Sequence, residues 1–186
     1  MRLDPATLAA IYEPMEDPID IINADITTLD VDVVVNAANE ALSPGGGVCG
    51  AIHRAAGPEL ATACAALGGC RTGESKLTPG FDLPAKYVIH SVGPVWGGGE
   101  RDEGNQLANC YRSALHLAAQ KGLSSIAFPA ISTGIYGFPP DRAALIALRT
   151  VRETLPDVPD MTRVVFCCFG DDSRALHEAA LEATKN

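Results

Sequence analysis

The sequence lacks three features that would each indicate a particular class of protein. Its 186 residues contain no CxxC pair and no Cys/His spacing typical of a zinc site. Basic residues are few: 14 Lys and Arg against 23 Asp and Glu give a formal net charge of −9, which disfavours tight binding to nucleic acid. No stretch approaches the roughly 18 apolar residues of a membrane span, and Asp4 and Pro5 interrupt the segment where a signal peptide needs an apolar run. These absences predict a cytoplasmic protein that binds neither membranes nor nucleic acid.

The six cysteines do not form the pattern of a disulfide framework. Cys167 and Cys168 are adjacent, and on a strand they would point to opposite faces, which suits neither a bridge nor a shared metal. Scattered cysteines in apolar surroundings are typical of reduced core residues. The full set is Cys49, Cys64, Cys70, Cys110, Cys167 and Cys168. We therefore expect free thiols and no bound metal.

The chain does have enough apolar sequence for one domain, because its hydrophobic fraction of 47% is normal for a globular protein. Residues 1–18, rich in proline and acid, are interpreted as a lead-in with a short helix, and residues 19–186 as a single domain. Runs of β-branched apolar residues predict strands that are covered on both faces. These strands are Ile19–Ile22, Val31–Asn36, Lys86–His90, Ser125–Phe128 and Arg163–Phe169.

Helical patterns alternate with these strands. Gly57 and Pro58 separate two of the helices, and Gly122 ends another. The predicted helices are Gly50–Ala56, Glu59–Leu67, Asn105–Lys121, 141–155 and a last helix that starts at Ser173. Strands that alternate with helices predict a three-layer α/β/α domain. Between the helices, Gly97–Asp102 is interpreted as a flexible surface loop.

The most informative segment is VDVVVNAANEALSPGGGVCGAIHRAAG, residues 31–57. Its strand ends at Asn36, Asn39 follows, and Gly45–Gly47 lead directly into a helix. Successive glycines let a ligand approach the backbone, and the N–H groups of a helix N-terminus bind phosphate. A flexible connector is the alternative, but ligands of α/β proteins bind at such strand ends. The spacing matches neither GxGxxG nor GxxxxGKS/T, which disfavours an ordinary dinucleotide or NTPase site.

A second loop, in AFPAISTGIYGFPP (residues 127–140), has the same placement between a buried strand and a helix. Its residues Ser132–Tyr136 offer hydroxyls, amides freed by glycine and an aromatic ring. If Ser132 and Thr133 merely close a turn, no ligand is implied. Two such loops at strand ends instead predict one ligand, with more than one phosphate, held between them.

Three segments resemble the macrodomain family, and specifically its MacroD-type branch: GGGVCGAIHRAAG, LPAKYVIHSVGP (83–94) and FPAISTGIYGFP (128–139). The similarity covers roughly residues 19–184, with the motifs in the same order. The resemblance implies an α/β/α sandwich with a mixed, mostly parallel sheet that binds ADP-ribose. It also implies hydrolysis of ADP-ribose from acidic side chains and deacetylation of O-acetyl-ADP-ribose, without a cofactor or a metal.

The resemblance further assigns ligand-binding residues. It implies that Asp25, with Ile26 beside it, accepts a hydrogen bond from the adenine amino group, a donor that suits an acceptor-only carboxylate. Asn36 and Asn39 correspond to asparagines near the distal ribose. Phe169 corresponds to an aromatic residue that packs on adenine, and a plain core aromatic is the alternative for it.

Two loops correspond to those that hold the diphosphate in this family. The residues concerned are Gly45, Gly46, Gly47 and Val48 in the first loop, and Ser132, Thr133, Gly134, Ile135 and Tyr136 in the second. Tyr136 is also expected to cover the distal ribose. Two mild departures from the family pattern are Ala24, where glycine is usual before the aspartate, and Pro44, which replaces a common fourth glycine.

Cys49 is the clearest departure, because it stands where MacroD-type proteins have the aspartate of GGGVDG. That aspartate is held to orient or activate the water that attacks the anomeric carbon, and a neutral thiol is a poor acceptor and base. A thiol activated by the helix N-terminus and by His53, four residues on, is one interpretation. An uncharged thiol that lines the pocket is the preferred one. Alphaviral macrodomains with GVC in this motif still act as hydrolases, in which the phosphate of the substrate can position the water.

The remaining polar candidates carry less weight. His90 lies in the apolar strand KYVIH and is interpreted as a satisfied core residue rather than a catalyst. His116 and His177 lie on predicted helices, away from either glycine loop. Arg54 is interpreted as a solvated or ion-paired helix residue rather than a phosphate clamp.

The sequence therefore favours an enzyme that hydrolyses ADP-ribosyl esters or O-acetyl-ADP-ribose, with Asn36, Asn39 and Cys49 as its catalytic group. A reader module that binds ADP-ribose with weak or no hydrolysis is the alternative. A third hypothesis, an RNA-regulating protein, is opposed by the net charge of −9. The expected partners are ADP-ribose, ADP-ribosylated proteins and O-acetyl-ADP-ribose, and the protein is expected to be a monomer.

Overall fold

A six-stranded sheet forms the centre of the structure, a computed structural model that describes residues 16–185. Its strands are β1 (Ile19–Asn23), β2 (Val33–Ala38), β3 (Ser75–Pro79), β4 (Tyr87–Val92), β5 (Ser125–Phe128) and β6 (Arg163–Cys168). The order across the sheet is β1-β6-β5-β2-β4-β3, and every neighbouring pair is parallel except β3 with β4. The mixed, mostly parallel sheet is thus confirmed. The short helix predicted within residues 1–18 lies outside the described residues, apart from a non-helical stretch at 16–18.

The strand β3 is absent from the sequence predictions. Its five residues, SKLTP, contain one large apolar side chain, Leu77, and end in a proline. Such a segment has neither a continuous apolar run nor a strict alternation, so its pattern does not indicate a strand. It lies at the edge of the sheet, where only one neighbour is needed and proline is tolerated.

Five α-helices lie among the described residues: α1 (Gly47–Ala56), α2 (Pro58–Ala66), α3 (Glu103–Gln120), α4 (Pro140–Thr154) and α5 (Asp171–Ala183). All five begin one to three residues earlier than predicted. The helix α1 includes Gly47 because Gly46 already acts as its N-cap. The helix α5 begins at Asp171 rather than Ser173, since Gly170 adopts a φ of 104° as the N-cap and two acidic residues occupy the first turn, where they interact favourably with the helix dipole.

The helices cover both faces of the sheet, which confirms the three-layer architecture. Side chains on a strand alternate between the faces, so Val33 and Val35 of β2 enter the core shared with α3, α4 and α5. Val34 enters the second core, together with Ile52 of α1 and Leu60 of α2. All three valines are almost completely buried, as expected for a parallel strand covered on both sides.

Gly97–Asp102 was predicted as a flexible loop, and the structure corrects this interpretation. The carboxylate of Glu103, only 1% exposed, accepts backbone hydrogen bonds from Gly97 (2.9 Å), Gly99 (3.2 Å) and Arg101 (2.7 Å). Its own backbone N–H and these three donors hold the pKa of Glu103 at about 2. The loop is therefore folded around a charged side chain at the start of α3.

The parallel strands all end at the same edge of the sheet. The loops that follow β1, β2, β5 and β6 consequently meet there, and they include both glycine-containing segments singled out in the sequence. None of the helices in residues 16–185 has the length and apolar composition needed to cross a membrane.

Candidate functional site

A cleft of about 1180 Å³ runs along this edge of the sheet, a size suited to a large organic ligand. Every residue predicted to bind or act on the ligand lines the cleft except Asn36. The lining residues that were predicted are Asp25, Ile26, Asn39, Gly45, Gly46, Gly47, Val48, Cys49, Ser132, Thr133, Gly134, Ile135, Tyr136 and Phe169. Among the lining residues, Arg54 is the only cationic side chain, although the sequence was interpreted as giving it no role there.

Asp25 lies at the end of the cleft formed by β1 and β6. Its Oδ1 accepts hydrogen bonds from the Thr27 hydroxyl (2.7 Å) and the Thr27 N–H (2.9 Å), and so caps the short 3₁₀ turn Ile26–Thr28. Both bonds lower the pKa of Asp25, and the bond from the hydroxyl has the larger effect. Asp25 is thus a capping residue of the turn, while its second oxygen, Oδ2, takes no part in these bonds.

The first glycine loop leads into α1 with no side-chain cap on Gly46. The N–H groups of the first helical turn have no partners within the helix, and here they border the cleft. Gly47 has a φ of 55°, a conformation that favours glycine. Gly50, which sequence reasoning did not single out, lets the loop pack against the helix, because a Cβ there would lie 2.5 Å from the carbonyl oxygen of Gly45.

The second glycine loop is held in a strained conformation. Ser132 has a φ of 65°, is buried, and has an Oγ with no hydrogen-bond partner within residues 16–185. Gly93, just after β4, makes this possible, since a Cβ at Gly93 would overlap Ser132 Oγ and lie 2.6 Å from Ile131 Cγ2. Strained residues of this kind are found at ligand sites.

Two large apolar side chains stand almost completely exposed on the rim of the cleft. Ile135 is 101% exposed and Phe169 is 98% exposed, so the alternative of Phe169 as a core aromatic is wrong. Phe169 follows β6 at the same end of the cleft as Asp25, whereas Ile135 belongs to the second glycine loop. Exposed apolar groups beside a cleft mark a binding surface rather than a protein interior.

A buried polar layer lies beneath the glycine loops. Asn36 on β2 and His90 on β4 are register partners and are 1% and 0% exposed. The Asn36 Nδ2 donates to His90 Nδ1 at 3.1 Å, and His90 Nε2 lies 2.9 Å from Thr78 Oγ1 on β3. Asn36 therefore lies behind the cleft and not on its surface.

His90 is a neutral imidazole in this layer. Burial, with a smaller contribution from nearby His53, lowers the pKa of His90 to about 4. Because Nδ1 accepts from Asn36, the proton is on Nε2, which donates to Thr78 Oγ1. The interpretation of His90 as a satisfied core residue agrees with this geometry, and the imidazole in turn fixes the Asn36 amide.

Cys49 lies in the first turn of α1, between the cleft and the polar layer. Its Sγ is 3.7 Å from Asn36 Nδ2 and 3.8 Å from the carbonyl oxygen of Ser43. His53, one turn further on, is buried with no hydrogen-bond partner for either ring nitrogen within residues 16–185, and burial lowers its pKa. A neutral imidazole does not provide the positive charge that the activated-thiol interpretation of Cys49 invoked.

Asn39 forms the side of the cleft next to Cys49. Its Oδ1 accepts from the Ser43 N–H at 3.1 Å, and its Nδ2 donates to the Ser43 carbonyl at 2.9 Å. Much of the hydrogen-bonding capacity of Asn39 is therefore used to hold the turn that precedes the glycine loop. Its first role in the structure is to shape this turn.

A sequence profile described as Macro domain matches residues 35–147. A macro domain-containing protein from Ralstonia nicotianae, RSc0334, is 61% identical over 164 residues, which cover 88% of this chain and 94% of that protein. A protein named O-acetyl-ADP-ribose deacetylase from Klebsiella pneumoniae is 52% identical over 166 residues, covering 87% of this chain and 95% of its own length. The chain is thus similar to these proteins over nearly their full length.

A solved structure shows the same similarity in three dimensions. The Trypanosoma brucei macrodomain in complex with ADP-ribose superposes with a TM-score of 0.84 at 45% sequence identity. The superposition covers 90% of this chain and 70% of that one.

Proposed function

Because the chain belongs to the macrodomain family, we propose that its cleft binds ADP-ribose and that the protein hydrolyses ADP-ribosyl esters of acidic side chains, O-acetyl-ADP-ribose, or both. The observation that carries this proposal is the meeting of two glycine-containing loops on the cleft, one of which leads into a helix N-terminus with no side-chain cap. Backbone N–H groups in that position bind phosphate without needing a basic protein. The names of the similar proteins support the same ligand.

The ligand would lie along the cleft from Asp25 to Tyr136. At the β1 end, Asp25 Oδ2 would accept from the adenine amino group while Oδ1 caps the turn, and the exposed ring of Phe169 would cover the base. The diphosphate would lie between Gly45–Val48 and Ser132–Ile135. The distal ribose would then reach Asn39, Cys49 and Tyr136 at the other end.

Hydrolysis of an ADP-ribosyl ester, in which the acidic side chain is attached to the anomeric carbon of the distal ribose, needs a water held against that carbon. In the proposed reaction the water oxygen bonds to that carbon, the bond to the ester oxygen breaks, and the acidic side chain leaves as a carboxylate. A phosphate oxygen of the substrate would orient the water, and the proton of the water passes to solvent, because an uncharged Cys49 thiol is a poor base. Asn36, fixed by His90, would hold the Cys49 side of this pocket.

The experiment uses a protein that carries mono-ADP-ribose on glutamate, and O-acetyl-ADP-ribose in parallel. Free ADP-ribose and acetate are quantified over time by mass spectrometry, and the affinity for ADP-ribose is measured by calorimetry on the same batch. Release of ADP-ribose or acetate above the uncatalysed rate supports the enzyme. An absence of binding to ADP-ribose contradicts the whole proposal.

Cys49 gives a specific reason for a second candidate, a reader of ADP-ribose. A thiol in place of a carboxylate removes the group that would activate water, while it leaves both glycine loops intact. A reader binds ADP-ribose in the calorimeter and leaves the modified protein unchanged even at high protein concentration. The two assays together therefore separate the enzyme from the reader.

A further inference from the structure

We propose that a second, smaller cavity beside the cleft binds the peptide chain to which the ADP-ribose is attached, and prefers a basic residue next to the modified side chain. This inference rests on the proposed binding of ADP-ribose in the cleft. The cavity measures about 310 Å³, at the lower end of the range for ligand pockets. Gly93 and Tyr136 line both the cavity and the cleft, so the two spaces adjoin at these residues.

The order of the strands gives the cavity its place relative to the ligand. The cleft passes from the ends of β1 and β6, across β5, to the end of β2. The next strand in the sheet is β4, and the residues after it, Gly93 to Val95, form a wall of the cavity. A ligand with its base at Asp25 therefore presents its other end, the distal ribose, to this cavity. A group attached to that ribose would extend towards it.

The walls of the cavity are tied together by hydrogen bonds between loops. Glu40 Oε1 accepts from the Thr72 hydroxyl at 2.9 Å, which joins the segment after β2 to the segment before β3. The Gly73 N–H donates to the Val92 carbonyl at 2.8 Å, and the Trp96 N–H donates to the Tyr136 carbonyl at 2.8 Å. A preformed cavity of this kind binds its ligand with a smaller loss of conformational entropy.

The chemistry of the lining suits a peptide. Gln106 of α3 provides an amide, which both donates to and accepts from peptide groups. Val95 is a large apolar side chain that is 64% exposed, and it offers a contact for aliphatic parts of the chain. Glu40 is exposed, and its Oε2 takes no part in the bonds to Thr72. The carboxylate would attract a basic residue and repel an acidic one.

The test compares free ADP-ribose with two synthetic peptides that carry ADP-ribose through a non-hydrolysable linkage, one flanked by lysine and one by glutamate. Calorimetry on the whole chain measures the three affinities, so the result does not depend on turnover. We expect the lysine-flanked conjugate to bind about three- to tenfold more tightly than ADP-ribose. We expect it to bind roughly two- to fivefold more tightly than the glutamate-flanked conjugate.

Two variants locate the effect. Gln106→Trp fills the cavity and should remove the gain of the conjugates while leaving the affinity for free ADP-ribose within twofold. Gln120→Trp, an exposed position at the far end of the same helix, is the matched control and should change neither. Glu40→Gln keeps an acceptor for Thr72 and should abolish the preference for lysine. It also serves as the second variant if Gln106→Trp does not fold.

Conjugates that bind no more tightly than ADP-ribose to the unaltered protein would overturn the inference. So would a gain that survives Gln106→Trp, or an equal loss of affinity for free ADP-ribose in that variant, because the cavity would then belong to the ribose site itself. Failure of the proposed function looks different, since the unaltered protein would then not bind free ADP-ribose.

Discussion

At the scale of single residues, Cys49 decides how much chemistry the cleft can perform. A carboxylate at this position could act as a general base, whose contribution is on the order of 10²–10⁴ in rate. We expect Cys49→Asp to raise the release of ADP-ribose from glutamate-linked substrate by about 100-fold, measured as initial rates at saturating substrate. The Sγ atom borders both Asn36 and the cleft, so a carboxylate there would lie next to the reacting water.

Cys49→Ser provides the control for that change. Serine retains a small polar group without adding a base, so the rate should remain near that of the unaltered protein. A complete loss of turnover in Cys49→Ser would mean that the thiol itself attacks the substrate, and the assignment of an uncharged lining residue would be wrong.

Asp25 combines a structural role with a predicted role in base recognition. Inosine diphosphate ribose presents an acceptor where adenine presents a donor, so the charge-assisted hydrogen bond would become a repulsion. Such a bond accounts for about 1.5–3 kcal/mol, or roughly ten- to a hundredfold in affinity. We expect this preference for the adenine ligand in calorimetry, and we expect Asp25→Ala to remove most of it.

Asp25→Asn sharpens the same experiment because the cap on Thr27 needs only an acceptor oxygen. The asparagine Oδ1 can keep that bond while its amide N–H faces the base. The preference should then shift from the adenine ligand towards the inosine ligand. Equal affinities of the unaltered protein for the two ligands would restrict Asp25 to the turn.

At the scale of elements, Gly93 couples the end of β4 to the second glycine loop. A methyl group at this position would overlap Ser132 Oγ and press on Ile131. We expect Gly93→Ala to lower the free energy of unfolding by about 1–3 kcal/mol and to weaken the binding of ADP-ribose at least tenfold, because Ser132 would be displaced. Urea titration and calorimetry would measure the two effects.

Gly104→Ala is the matched control for Gly93→Ala. Gly104 lies in the first turn of α3, where an added Cβ would meet only Ile146 Cδ1 at an ordinary distance of 3.8 Å. Alanine is favoured over glycine inside a helix by about 1 kcal/mol. The free energy of unfolding should therefore rise or stay constant, with no change in binding. Unaltered binding in Gly93→Ala would contradict the coupling between β4 and the loop.

The elements that sequence reasoning identified are those whose pattern reflects burial. Val33–Val35 predict a strand covered on both faces, and Gly57 with Pro58 predicts a helix boundary, because apolar runs and backbone breakers act locally. The strand β3 and the anchored loop before α3 have no such pattern. The first depends on an edge position beside β4, and the second depends on one carboxylate, Glu103, that reaches back to three backbone groups.

The candidate site was likewise predictable only where local sequence patterns determine it. The glycine loops were identified because their backbone geometry requires particular residues and because they follow buried strands. The position of Asn36 behind the cleft was not predicted, although Asn36 is two residues from Val34 on the same strand and so shares the face that α1 and α2 cover. Contacts across the sheet, such as Asn36 with His90, require the strand order, which local patterns do not contain.

At the scale of the whole molecule, buried neutral histidines make the free energy of unfolding depend on pH in the acid range. The unfolded chain takes up a proton on His90 near pH 6.5, whereas the folded protein resists protonation down to about pH 4. The stabilisation that comes from keeping His90 neutral is therefore fully present above pH 6.5 and is lost as the pH falls from 6.5 to 4. The contribution of His90 is roughly 3 kcal/mol over this window.

Urea unfolding between pH 7.5 and 4 would measure this dependence. We expect His90→Gln, which lowers stability at pH 7.5, to have a shallower fall of the free energy of unfolding than the unaltered protein. Burial also lowers the pKa of His177, so His177→Gln should remove a separate part of the slope. If the slope of His90→Gln equals that of the unaltered protein, His90 does not remain neutral in the folded state.

The antiparallel strand β3 also affects how copies of the chain can meet. It forms one outer edge of the sheet, and an outer edge with free N–H and C=O groups can add a strand from another molecule. Here the edge is only five residues long and ends at Pro79, which has no N–H to donate. It also carries Lys76, whose ammonium group binds the carbonyl oxygens of Leu67 and Gly69 after α2. Growth of a continuous sheet between molecules is therefore disfavoured on this side, and the protein is protected against edge-to-edge aggregation there.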